Sequence, residues 1–142
     1  MNKWFILLCV LVLSLFWPGR EGATGRVDIK YSESEIFSEL EIQSAMEAVL
    51  ANFKDYRECE LTRLWYDDDT YMWHVDFYME YGSGSVNGVR KEDVIIILGE
   101  FYVGEKADIY FRCAAMVRNW MWILLRDSVA DEWVVDDAGW AK

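Results

Sequence analysis

One histidine, three cysteines and a run of three aspartates are the residues of this 142-residue chain whose chemistry stands out. His74 has Asp76 two positions away, and a histidine beside a carboxylate is the minimum of an acid/base pair. No serine or cysteine nucleophile motif accompanies it, and a lone histidine in a strand-like stretch is more often a surface or packed residue. One histidine among scattered acids also lacks the ligand spacing of a zinc site. Asp67-Asp68-Asp69 gathers oxygen ligands of the kind hard cations take. It lacks the sharp-turn glycine and the downstream bidentate glutamate of an EF-hand loop, so an acidic turn is the ordinary reading. The residues therefore point to no catalytic group, metal or cofactor.

The aromatic residues are the more informative excess. Trp65, Trp73, Trp120, Trp122, Trp133 and Trp140 all fall in or beside strand-like stretches. Indole faces stack on sugar rings or apolar ligands in the mouth of a curved sheet, and they also fill small cores. Trp120, Trp122 and Arg126 share one strand face, and together with Trp73 they form the candidate ligand-binding set; packing in the core is the competing reading. Arg63, on a face with Leu61 and Trp65, is a further cation that can meet an acidic ligand or a surface carboxylate.

Positioning these residues falls to a helix and several strands. Ser38-Glu39-Leu40-Glu41 is a capping box, with Phe37 and Ile42 at staple positions. Ile42, Ala45, Met46, Val49, Leu50 and Phe53 then recur at helical spacing. Residues 60–66 read as a strand stopped by Asp67-Asp68-Asp69-Thr70. In 73–81 the alternation of Trp73, Val75, Phe77, Met79 and Tyr81 with His74, Asp76, Tyr78 and Glu80 predicts a second strand. Gly82-Ser83-Gly84-Ser85 and Asn87-Gly88 mark a loop. Val94-Ile95-Ile96-Ile97-Leu98 has the continuous β-branched pattern of a strand buried on both faces. Residues 104–118 leave helix and strand open, and Trp120–Arg126 with Glu132–Val135 form a closing pair. The expected class is α+β: an N-terminal amphipathic helix packed on a curved antiparallel sheet, either a cystatin-like or nuclear-transport-factor-like half-cone or a flat two-layer sandwich.

The chain opens with Lys3 followed by an uncharged apolar run, Trp4 to Trp17, broken by Pro18-Gly19. That is the build of an export signal, shorter than the roughly 20 residues of a membrane span. Small residues at Ala23 and Gly25 offer a cleavage site, giving a signal peptide or signal anchor over 1–25 and a single domain over 26–142. Lipidation at Cys9 is the weakest alternative, because Leu7-Leu8 precede it. The expected location is extracellular or cell-surface, with membrane contact only through this segment. In such a compartment Cys59 and Cys113 are candidates for a disulfide, whose long loop is worth roughly 4 kcal/mol; two buried thiols are the alternative.

Charge narrows the partners. The net charge is −11. Loss of Lys3, Arg20 and Glu21 with the N-terminal segment takes it from −11 to −12. Such a chain repels phosphate backbones, which excludes nucleic acid, and disfavours anionic lipid headgroups.

Several motifs together resemble an uncharacterised family of small exported, lipoprotein-like domains of Gram-positive anaerobes. They are Tyr31-Ser32-Glu33-Ser34-Glu35-Ile36, Asn52-Phe53-Lys54, the stretches 59–67 and 93–101, Trp120-Met121-Trp122-Ile123-Leu124-Leu125-Arg126 and Trp133-Val134-Val135-Asp136-Asp137-Ala138-Gly139-Trp140. The closing pair is the most specific part. The resemblance implies an exported α+β domain and transfers no catalytic residue. Residues and resemblance together lead to an exported, non-catalytic binding or interaction domain for a protein or small ligand. An enzyme using His74 and Asp76 in a sheet-lined pocket, or a membrane-associated adaptor, are the alternatives.

Overall fold

The structure, a computed structural model, describes residues 19–107 and 114–141. The apolar run before Pro18, Cys9 and Cys113 lie outside the described residues. Among the described residues no helix is long and apolar enough to cross a membrane.

The fold is α+β. Five strands, β1 (Asp28–Tyr31), β2 (Cys59–Tyr66), β3 (Val94–Val103), β4 (Ala115–Leu125) and β5 (Val134–Trp140), lie in sequence order in one open sheet. The sheet is mixed rather than wholly antiparallel. β1 runs parallel to β2, and the other pairs are antiparallel. A parallel pair needs a crossover, and helix α1 (Glu39–Phe53) supplies it. Register shifts at Leu61/Arg63, Gly99/Phe101 and Ile123/Leu124 are bulges, which bend and twist the sheet.

The capping box forms as its sequence predicts. Ser38 Oγ accepts from the Glu41 N–H at 3.2 Å, and Glu41 Oε2 accepts from the Ser38 N–H at 2.7 Å. Spacings of three and four then turn Ile42, Ala45, Met46, Val49 and Phe53 into one buried stripe, with Leu50 at its margin. Each such side chain contributes roughly 1.5–3 kcal/mol on full burial. The stripe meets the sheet through Phe53, whose ring lies 5.5 Å from Phe101 and 6.4 Å from Trp122. Gly99 makes room for this packing, since a Cβ there would stand 2.7 Å from Arg63 O and 2.8 Å from the Trp122 ring.

The stretch 73–81 is not a strand. It is most of helix α2 (Asp68–Tyr81), and the aspartates read as a strand stop begin it. Asp67 caps the helix, accepting from the Thr70 N–H at 2.7 Å and from Thr70 Oγ1 at 2.9 Å. Asp68 and Asp69 place negative charge in the first turn, where the helix dipole favours it. Two helical stripes are interleaved here: Tyr71, Val75 and Tyr78 face inward, while Trp73, Phe77 and Tyr81 face outward. Their overlay mimics a period of two, which explains the misreading. A single turn, α3 (Gly84–Asn87), lies within the predicted loop.

Val94–Leu98 is buried throughout, as its continuous apolar pattern predicts, and so needs cover on both faces. α1 provides it on the Phe101/Trp122 side. α2 provides it on the other with Val75 and Tyr78, the Tyr78 hydroxyl reaching β5 to donate to Asp136 Oδ2 at 2.8 Å.

Candidate interaction surface

Most of the residues singled out for chemistry have structural roles. Trp122 is fully buried among Phe53, Tyr56 and Phe101. Trp120 is buried beside it, donating from Nε1 to the Tyr56 hydroxyl at 3.2 Å and meeting Trp140 edge-on at 4.9 Å. Both therefore sit in the core rather than in an open concavity.

Arg126 is buried too. Its Nε donates to Asp93 Oδ1 at 3.2 Å, one terminal nitrogen to Glu41 Oε1 at 2.7 Å and the other to Glu92 O at 3.1 Å. The guanidinium stacks over Trp133 at 4.3 Å. Arg90 adds a second cation to the buried Asp93, at 2.6 Å. Arg126 thus ties the capping box of α1 to the end of β4 and to the turn before β3. Burial alone would raise the Glu41 carboxyl, but the Ser38 N–H and the Arg126 guanidinium outweigh it and hold it below its ordinary range. Arg63 lies over the Trp65 ring at 5.0 Å.

His74 and Asp76 do not form the acid/base pair weighed for them. On a helix, residues two apart point away from each other. Asp76 is engaged instead by Lys91 Nζ at 2.6 Å. Burial lowers the His74 pKa, favouring the neutral imidazole. Asp67 and Asp68 of the aspartate run are taken up by the fold as well. Asp68 accepts from Ser34 Oγ at 2.5 Å, the Glu35 N–H at 2.9 Å and the Tyr66 hydroxyl at 2.8 Å. Cys59 is a free, buried thiol. Burial first, and Glu58 second, push its pKa up to about 11. Its candidate partner Cys113 lies outside the described residues.

Trp73 is different. It is 74 % exposed, with Phe77 at 60 %, Tyr81 at 68 % and Met72 at 51 %. Trp73, Phe77 and Tyr81 are four residues apart, so they stack on one side of α2, and the Phe77 and Tyr81 rings lie 5.2 Å apart. Tyr71 and Tyr78 fix the helix from its other side through hydroxyl bonds to Lys91 O at 2.9 Å and to Asp136. The aromatic row is therefore displayed by a helix that is anchored to the rest of the fold. It lines an open cleft of about 620 Å³ with Asp69, Asp76 and Glu80. The Tyr81 hydroxyl, hydrogen-bonded to Glu80, is held above its usual range, a further sign of the acidic surroundings.

Sequence reasoning found Trp73 and missed Met72, Phe77 and Tyr81 as members of a common surface. The signal was present in the four-residue spacing of Trp73, Phe77 and Tyr81, hidden by the strand reading. No family model, no curated protein and no solved structure matches the chain. The family resemblance therefore rests on its motifs alone.

Proposed function

We propose that the chain is an exported, non-catalytic interaction domain that holds a protein partner through the outer face of α2. The observation that carries this is the contiguous exposed row Trp73, Phe77 and Tyr81, with Met72 beside it, on a helix whose other face is buried. Leaving such large side chains in water forfeits burial energy, and contiguous apolar patches mark contact sites more often than scattered residues do. Aromatic anchors of this kind form the centre of a protein interface.

The acidic border selects the occupant. Asp69 and Glu80 border the row, Asp76 beside them is already paired with Lys91, and the whole chain carries a net charge of −11. A basic amphipathic helix complements both features, its apolar ridge on the aromatics and its lysines or arginines on the carboxylates. Phosphate-bearing partners meet the same charges as repulsion. A second copy of the chain would bring acidic borders together. The β5 edge competes poorly, because Asp136, Asp137 and a bulge interrupt its free side, and such features discourage strand addition.

Calorimetric titration of the full-length protein with a synthetic leucine/lysine amphipathic helix tests this reading. Saturable binding that weakens with salt is expected, at least tenfold weaker for the Trp73→Ser/Phe77→Ser double variant. Equal affinity of the double variant overturns it. So does α2-dependent binding to zwitterionic vesicles, or an α2-dependent homodimer in sedimentation, without peptide binding.

A further inference from the structure

We infer that residues 19–25 belong to the folded domain, so that the chain is not cut after Gly25 and the N-terminal apolar run stays joined to it. Residues 19–23 are woven into the fold on both sides. The Gly22 N–H donates to Lys54 O at 3.0 Å, at the end of α1, and the Ala23 N–H donates to Cys59 O at 2.9 Å. In return the Leu61 N–H donates to Ala23 O at 2.9 Å, and Arg57 donates to Gly19 O at 2.8 Å. Ala23 makes a parallel bridge to Glu60, extending the sheet edge beyond β1.

Two positions show that this contact is built in. Gly22 is buried, and a Cβ there would stand 1.9 Å from Phe53 O and 2.9 Å from Tyr56 O, so only glycine permits the approach. Glu58 takes a left-handed backbone, φ 61°, which is unfavourable for a residue with a side chain. The same segment secures it. The Glu58 N–H donates to Arg20 O at 2.9 Å, and its carboxylate accepts from the Arg20 N–H at 2.8 Å. Glu58 O in turn accepts from the Gly104 N–H at 2.9 Å, so the turn before β2 is held between the N-terminal segment and the end of β3.

Cleavage after Gly25 would discard all of these partners. Before Gly19 no pair of small residues has the spacing of Ala23 and Gly25 that signal cleavage uses. The apolar run Trp4–Trp17 then stays covalently attached to the domain. Combined with the export reading, this keeps the domain tethered at the membrane surface.

Mass-spectrometric mapping of the N-terminus, on native full-length protein carrying a C-terminal tag and recovered from membrane, soluble and cytosolic fractions, decides the matter. A start at or before Trp4, with the apolar run retained, is expected. A start after Trp17, above all at Arg26, overturns the inference. An intact N-terminus found only in the cytosol would keep the inference and end the export reading. As a second measurement, Gly22→Val should lower the thermal midpoint of the full chain by several degrees, and an unchanged midpoint would contradict the role given to this segment.

Discussion

Phe77 and Tyr81 stand one helical turn apart with ring centroids 5.2 Å from each other, and both face solvent. In the same helix Val75 and Tyr78 are buried. α2 therefore presents apolar surface on two sides, one used by the fold and one left for something else.

The two sides should respond differently to substitution. Trp73→Ser or Phe77→Ser should change unfolding free energy by no more than about 0.5 kcal/mol, the usual scale for exposed positions. Trp122→Ala, which empties a site among Phe53, Tyr56 and Phe101, should cost about 3–5 kcal/mol. Denaturant midpoints of the full-length variants measure both. A large loss at Trp73 would place that residue in the core instead.

Arg126 should behave as a structural residue. Arg126→Met leaves the Asp93 carboxylate, whose side chain is 3 % exposed, with Arg90 as its only remaining charged partner among the described residues. Breaking a buried pair from one end costs about 3–5 kcal/mol, and Arg90 should keep the loss near the lower figure. Arg63→Ala, which removes a single stacking contact on Trp65, should be close to neutral in the same unfolding experiment.

Acid should unfold the domain through carboxylates that the fold has stabilised. Burial acts to raise Asp68, but Ser34, the Glu35 N–H and Tyr66 outweigh it and keep the group below its ordinary 3.8. Glu41 likewise lies below its ordinary 4.5. A lowered folded-state pKa contributes stability above the unfolded value, and that contribution is lost as pH falls through the folded value. Urea midpoints should therefore ease slightly below about pH 6.5, where the unfolded state protonates His74 ahead of the folded one, and fall more steeply below about 4.5. Glu41→Gln should start lower and show a shallower acid limb; an acid limb identical to wild type would contradict the role given to Arg126 and Ser38.

The Cys59 thiol should be inert in the native protein, because a pKa of about 11 and burial both suppress the reactive thiolate. Peptide-level iodoacetamide labelling near neutral pH should leave Cys59 unmodified until denaturant is added. Full labelling without denaturant would show that the β2 terminus opens readily.

Much of the scaffold was legible because its signals are local. The capping box at Ser38, the stripe from Ile42 to Phe53 and the β-branched run at Val94 each specify one element without help from distant residues. β1 was not legible, since four residues pairing with β2 carry no pattern of their own. α2 was misread because an apolar outer face was added to an apolar inner one. The same cause hid the candidate surface: spacing shows that Trp120 and Trp122 share a face, but only the packed fold shows that the face is α1's floor. The N-terminal boundary was obscured for a related reason. Small residues at Ala23 and Gly25 look like a processing site in sequence, whereas Ala23 pairs with β2 and the neighbouring Gly22 is required by the close approach of the Phe53 backbone.

The central claim, that the outer face of α2 is the contact surface, is tested most directly by following the indole N–H resonances of full-length protein while the basic amphipathic helix is titrated in. The Trp73 resonance should shift and broaden with saturable dependence on peptide, while those of the buried Trp120 and Trp122 stay in place. Shifts at Trp140 or Trp65 with Trp73 unmoved would contradict the account and move the contact to the sheet.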